Sequence, residues 1–303
     1  MTSHAVAAFY LFTPLEDLDV LRADLHARLQ RLDARGSVLL APEGINGTLS
    51  MADDRYEQVL EVLRSLPGCS SLPVKRSRGH GHVFRRLKVR LKREIVTLGV
   101  DGIDPNETVG TYVAPEDWNA LISDPDTLVI DTRNDYEVEL GTFEGAENPH
   151  TETFGEFPDW FERAVAKRKP KRVAMFCTGG IRCEKATSFA RKSGVDEVYH
   201  LDGGILSYLS AVPESESLWR GDCFVFDERV ALTHGLEISG AAICRACKFP
   251  VNEADQRDTR YEEGVSCPKC FDQTSDTQKR RFRERQRQVK LAEARGRTHL
   301  TGR

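Results

Sequence analysis

The stretch Val173-Ala-Met-Phe-Cys177-Thr178-Gly179-Gly180-Ile181-Arg182-Cys183-Glu-Lys-Ala186 decides how the chain is read. Its apolar start, residues 173–176, predicts a buried strand, and the run from Glu184 to Lys192 predicts a helix ended by Gly194. Cys177 therefore sits at the mouth of a strand, loop and helix unit. Loop amides, the positive end of the helix dipole and the Arg182 guanidinium all favour a thiolate there. Gly179 and Gly180 carry no Cβ, so the backbone can curl around the sulfur. The competing reading is an inert core cysteine beside an ordinary turn, which leaves the double glycine and the arginine without a purpose.

Working outward, residues 127–131 and 197–201 predict two more buried strands, with helical patterns between them and Pro115-Glu116-Asp117 as the first turn of a helix. Strands alternating with helices imply a parallel sheet, whose sites lie at the C-terminal strand ends. Asp131 and Cys177 both occupy such ends. Upstream, residues 5–12 predict a strand, 15–32 a helix closed by Gly36, 37–40 and 48–51 two strands, 56–66 a helix and 87–95 a last strand. Asn46-Gly47 predicts the hairpin turn. This βαββαβ order predicts a ferredoxin-like α+β domain, and the turn-rich segment 99–106 links it to the parallel-sheet domain. Its last strand places Lys88, Arg90 and Lys92 on one face, after Lys75, Arg76, Arg78, Arg85 and Arg86. That density reads either as a phosphate-binding platform or as a solvated strand face.

Asp131-Thr-Arg133-Asn-Asp-Tyr-Glu137, Gly145-Ala-Glu-Asn148-Pro149, the Cys177 loop and Leu201-Asp202-Gly203-Gly204 together resemble a rhodanese domain over residues 111–222. The six-residue loop from Cys177 to Arg182 has the length of sulfur-handling rhodaneses rather than of their phosphatase relatives. Ala41-Pro-Glu43-Gly44-Ile-Asn46-Gly47, the nine residues 177–185 and a C-terminal cysteine module extend the resemblance to the bacterial rhodanese-like tRNA uridine hydroxylases. The resemblance implies oxygen-dependent formation of 5-hydroxyuridine at tRNA position 34, with molecular oxygen as co-substrate and the tRNA anticodon arm as partner. It also implies Cys177 and Arg182 as catalytic residues, a loop of Thr178, Gly179, Gly180, Ile181 and Cys183, and Asp131 and Arg133 as pocket support. Two rivals stay open: a sulfurtransferase carrying a persulfide on Cys177, and a non-enzymatic RNA-binding adaptor.

Cys244-Arg-Ala-Cys247 and Cys267-Pro-Lys-Cys270 have the spacing of a four-cysteine structural zinc site, with an empty site or a small cysteine-lined core as alternatives. Cys183 either resolves an oxidised Cys177 or packs inward from the helix. Cys69 and Cys223 read as buried, and His150 as a pocket or surface group. Residues 278–303 carry many arginines and few apolar anchors, and read as a helix ordering on RNA or as a solvated extension.

Taken by length, 303 residues predict two domains and a smaller module: 1–98 ferredoxin-like, 111–222 an α/β rhodanese domain with a central parallel sheet, 223–275 cysteine-rich, and 276–303 a basic tail. Hydrophobic residues at 40%, charged residues at 30% and a net charge of -4 describe a globular chain, with no apolar run long enough to span a bilayer. The N-terminal pattern lacks the features of a secretory signal, so a cytoplasmic protein with reduced cysteines is expected, without membrane partners. No flavin or haem fingerprint is present.

Overall fold

Alternation of apolar residues builds the first sheet of the computed structural model, which describes residues 4–79 and 81–295. β1 (His4–Phe12), α1 (Leu18–Arg31), β2 (Arg35–Ala41), β3 (Gly44–Ala52), α2 (Tyr56–Arg64), β4 (Val74–Gly79) and β5 (Leu87–Leu91) come in that order. The strands lie as β4-β1-β3-β2-β5, antiparallel except for β2 and β5. Leu25 and Leu29 of α1 and Val59 and Leu63 of α2 are fully buried against Ala5, Val38, Ile45 and Leu49 of the sheet. Each such aliphatic side chain contributes roughly 1.5–3 kcal/mol by leaving water.

The first domain departs from the sequence expectation in two places. The fourth strand of the ferredoxin-like order is β4, whose basic sequence hides any apolar period, and the strand expected over 87–95 ends at Leu91 and adds a fifth, parallel edge beside β2. Asn46-Gly47 lies inside β3, because the chain reverses at Pro42-Glu43, between the paired Ala41 and Gly44. Gly47 serves a close approach instead: a Cβ there would stand 2.8 Å from both the Phe9 ring and the Ser37 carbonyl.

The second sheet is wholly parallel. β6 (Thr111–Val113), α3 (Pro115–Ile122), β7 (Thr127–Asp131), α4 (Asp135–Val138), β8 (Gly141–Phe143), α5 (Phe157–Arg168), β9 (Arg172–Phe176), α6 (Ile181–Lys192), β10 (Glu197–Leu201) and α7 (Gly204–Ala211) give the order β6-β10-β9-β7. One face packs Phe157, Phe161 and Phe189 of α5 and α6 on Val173 and Met175. The other packs Trp118 of α3 and Tyr208 of α7 on Phe143 and Phe176. Burial on both faces explains why these strands read as continuous apolar runs. β11 (Trp219–Gly221) pairs with β8, and β12 (Cys223–Phe224) with β13 (Ala231–Leu232).

These elements form one compact unit through Glu237, and a second unit begins at Ile238 rather than at residue 223. The second contains β14 (Ala242–Ile243), β15 (Pro250–Val251), α8 (Glu253–Arg257) and α9 (Asp276–Ala294). The expected basic tail is largely α9. Its Arg283 pairs with Glu262 at 2.6 Å, Lys290 with Glu263 at 3.0 Å, and Arg285 donates to the Gly264 carbonyl at 2.9 Å. The last part of that tail, residues 296–303, lies outside the described residues. No helix among the described residues is long and apolar enough to cross a membrane.

Candidate functional site

Cys177 follows the last residue of β9, and the loop turns back over it into α6. It is completely buried. The Gly180 amide donates to its Sγ at 3.1 Å, made possible by a φ of 104° at Gly180, a region that side-chain-bearing residues avoid. Burial alone would push the thiol up. A hydrogen bond from the Cys183 thiol, the Arg182 guanidinium and the backbone amides of Cys183 and Arg182 outweigh burial and bring Cys177 down to about 5. Cys183 shifts the other way, well above an ordinary thiol, because it is buried and donates to an anion. The pair therefore holds one thiolate and one thiol. Cys183 also meets Thr132 Oγ1 at 3.7 Å and sits in the core, so it is at once an inward-packed residue and a donor to Cys177.

Arg182 is held by a residue that the sequence did not single out. Glu137, fully buried in the short helix α4, takes Nη1 at 2.7 Å and Nη2 at 2.8 Å in a two-pronged ion pair. Burial pushes the Glu137 carboxyl up, but Arg182 and Arg133 overcome it and hold it below the usual carboxylate range. The available signal was its place three residues after Asn134, whose backbone N–H it accepts at 3.1 Å. Asp131 and Arg133 face each other instead of Cys177. Arg133 donates Nε at 2.8 Å and Nη2 at 2.6 Å to Asp131 and a further bond to the Gly141 carbonyl at 2.6 Å, while its guanidinium lies over the Trp219 ring. This fully buried pair braces the end of β7, from which the chain runs into the helix α4 that carries Glu137.

Thr178, Gly179 and Ile181 form the half-buried rim of the loop. A Cβ placed on Gly179 meets nothing within 4 Å, so space is open above it. From below, Gly204 packs so closely that a Cβ would stand 2.4 Å from the Cys177 carbonyl. His150 is exposed and pairs with Asp135 at 2.8 Å; Cys69 and Cys223 are buried.

The ferredoxin-like domain reaches into this site. Tyr10 of β1 and Tyr112 of β6 both donate to Glu184, at 2.9 and 2.7 Å. Lys185, only 2% exposed, lies between Glu43 at 2.8 Å and Glu94 at 2.6 Å. Glu43 also accepts the Ile95 amide at 2.6 Å, and Asn46 donates to the Ile95 carbonyl at 2.9 Å. The segment from Glu43 into β3 and the start of α6 at Glu184 and Lys185 are thus brought against each other through Tyr10, Glu43 and Glu94. Lys75, expected on a phosphate platform, instead donates Nζ to the Gly179 carbonyl at 2.7 Å and to the Gly203 carbonyl. Lys88 is half-buried, and Arg90 and Lys92, placed on and just beyond the edge strand β5, are exposed.

Residues 4–95 match the UPF0176 acylphosphatase like domain, and residues 114–211 match the rhodanese-like domain. The tRNA uridine(34) hydroxylase of Gluconobacter oxydans is 56% identical over 97% of this chain and 96% of its own. The chain belongs to the tRNA uridine(34) hydroxylase family. Proteins of the same name from Jannaschia sp., 54% identical over 98% of each chain, and Agrobacterium fabrum, 54% identical over 97% of this chain and 94% of its own, match over the same extent. In this tRNA uridine(34) hydroxylase family member the similarity covers both domains that meet at Cys177, along with the second unit.

That second unit gathers Cys244, Cys247, Cys267 and Cys270, whose sulfurs all lie within 4.8 Å of one another, a cluster that could hold a metal ion. The Cys244–Cys270, Cys247–Cys267 and Cys267–Cys270 sulfurs are 3.8, 3.7 and 3.7 Å apart. Four thiolates at the usual zinc distance of about 2.3 Å, arranged tetrahedrally, would stand about 3.8 Å apart. The donor set therefore fits. Each pair is held in a tight turn, with the Lys248 amide donating to the Cys244 carbonyl at 2.8 Å and the Cys270 amide to the Cys267 carbonyl at 3.1 Å.

Proposed function

We propose that this chain hydroxylates the wobble uridine of tRNA, position 34, to 5-hydroxyuridine, with Cys177 as the reacting group and molecular oxygen as co-substrate. What carries the reading is the full-length similarity to hydroxylase-named relatives, which takes in the loop where Cys183 and Arg182 favour a thiolate at Cys177. The thiolate forms a bond to the uracil carbon next to the one that becomes oxygenated and drives the electron pair of the ring double bond toward the latter. Oxygen attacks there. One oxygen atom stays on the ring, and the other leaves as water, with two electrons from an external thiol reductant. Loss of the ring proton then restores the double bond and releases Cys177. Arg182, the Gly180 amide and the rest of the loop, Thr178, Gly179, Ile181 and Cys183, stabilise the sulfur anion at each end of the cycle. Asp131 and Arg133 keep the strand end in place.

The substrate is held by its anticodon arm through backbone phosphates, with Lys88, Arg90 and Lys92 as the basic strand and the uridine turned out toward the open rim at Gly179. A structural zinc ion on Cys244, Cys247, Cys267 and Cys270 closes the second unit. The division into a ferredoxin-like domain (1–98), a rhodanese domain (111–222), a cysteine module and a basic C-terminal helix belongs to this reading. So does action in the cytoplasm, where a thiolate at Cys177 stays reduced.

The test is high-resolution mass spectrometry of nucleosides from tRNA incubated with the protein and a thiol under heavy-isotope oxygen gas. Label in uridine that vanishes with Cys177→Ala is the expected result. Sulfur in the RNA, or a persulfide on Cys177 with unchanged RNA, overturns it in favour of a sulfurtransferase. RNA binding without chemistry leaves an adaptor.

A further inference from the structure

Lys75 lies on β4 of the ferredoxin-like domain, yet its Nζ donates to two carbonyls of the rhodanese domain, Gly179 at 2.7 Å and Gly203. The Gly179 carbonyl and the Gly180 N–H belong to one peptide group. In a trans peptide they point in opposite directions, and the described chain has no cis bond. With Lys75 drawing the carbonyl one way, the N–H faces the other way, toward Cys177 Sγ at 3.1 Å. The residues on both sides of this peptide are glycines, so the chain itself offers little resistance to a flip that would turn the carbonyl toward the sulfur. We infer that Lys75 is a positioning residue for Cys177: it fixes and polarises the 179–180 peptide so that a donor, not an acceptor, faces the sulfur.

The second contact, to Gly203, ties the same ammonium to the turn that supports the loop. Gly203 and Gly204 both have positive φ, and Gly204 presses on the backbone of Cys177, Thr178 and Gly180. The cation therefore bridges the two backbone segments that shape the sulfur's surroundings. A hydrogen bond at the carbonyl end of a peptide also strengthens donation at its N–H end. The ferredoxin-like domain then has a role within the site, since a rhodanese domain without it would lack this lock.

Several charged or titratable groups act on the sulfur. Arg182 and Cys183 come from α6, and Glu184 on the same helix opposes the anion while bonded to Tyr10 and Tyr112. Cys223 of β12 and the phenol of Tyr10 feel the sulfur's charge, and Glu137 acts through Arg182. Lys75 is the cation that arrives from the other domain. Burial lowers its ammonium to about 8, against the pull of Cys177, Asp202, Glu184 and Cys183, so it is charged where Cys177 has already ionised.

The inference rests on Cys177 as the reacting group, but its test needs no turnover, so its failure is separate from a failure of the hydroxylase reading. Thiolate ultraviolet absorbance is titrated in the full chain and in Lys75→Met, each as the difference from the same protein carrying Cys177→Ala, which cancels the other thiols. Loss of Lys75 raises the Cys177 pKa by about one unit, so that at pH 5 the thiolate fraction falls roughly fivefold while at pH 8 it is unchanged. Lys75→Arg, which keeps the charge and can reach both carbonyls, restores the low value. Should Lys75→Met not fold, Lys75→Gln, with one donor and no charge, gives an intermediate shift. An unmoved Cys177 titration in any folded variant that lacks the cation overturns the inference. So does a Lys75→Arg protein that behaves like Lys75→Met.

Discussion

Replacing Glu137 by glutamine tests the central electrostatic arrangement, because it moves stability and sulfur ionisation in opposite senses. The carboxylate is fully buried, and the Arg182 side chain is 9% exposed. Glutamine keeps the shape but offers one acceptor oxygen, and it turns an NH2 toward a guanidinium that has no acceptor. Leaving one member of a buried ion pair without its partner costs about 3–5 kcal/mol. Domains of this kind have about 5–15 kcal/mol in total, so the loss is a large share of the whole. Urea unfolding followed by tryptophan fluorescence reports it, since all three tryptophans, Trp118, Trp160 and Trp219, lie in the first unit. The Arg182 charge, no longer balanced, then acts more strongly on Cys177, whose pKa falls further below about 5. Adding Arg182→Met removes the orphaned cation and recovers part of the stability, with a coupling on the order of 1–3 kcal/mol. A Glu137→Gln protein within about 0.5 kcal/mol of the parent, with an unmoved sulfur titration, would refute this account of the site.

Three further outcomes are expected. Lys185→Met leaves Glu43 and Glu94 without their shared cation; those side chains remain 25% and 22% exposed, so urea melts should show a loss of about 2 kcal/mol, below the fully buried range. Stability should fall in acid in two stages. His200, 1% exposed and with neither ring nitrogen bonded, is lowered by burial to about 4, so the unfolded chain takes up a proton that the folded one refuses, and stability drops as the pH goes from about 6.5 to about 4 by about 3 kcal/mol. His200→Phe should flatten that window in pH-dependent melts. Glu137, held below the unfolded carboxylate value of about 4.3, adds stability above that value, and this is lost as the pH falls through its folded value. Finally, elemental analysis should find one zinc per chain. Its removal by a chelator, or Cys270→Ser, should make residues 238–295 the first to be cut in limited proteolysis, with unit 1 intact.

How far the sequence reaches depends on how local each cause is. The Cys177 loop, the parallel strands ending at Asp131 and Cys177, the two C-x-x-C turns and the ferredoxin-like order from β1 to α2 all rest on short-range patterns: apolar period, glycine conformation and ligand spacing. Those patterns are readable from the residues alone. The sequence misleads where a residue answers to something distant along the chain. Asn46-Gly47 has the chemistry of a turn, but the Phe9 ring and the Ser37 carbonyl across the sheet need the missing Cβ, and Ile95 takes the asparagine. Lys75 has the sequence setting of a phosphate ligand, and β4 carries it to the back of a loop 104 residues away. Glu137 reads as one residue of a helix start until the fold brings Arg182 against it. Local patterns therefore determined which sulfur is poised to ionise, whereas the groups that balance its charge and aim its amide come from other elements and, for Lys75, from another domain. Their roles are electrostatic and directional, and only packing sets distance and direction.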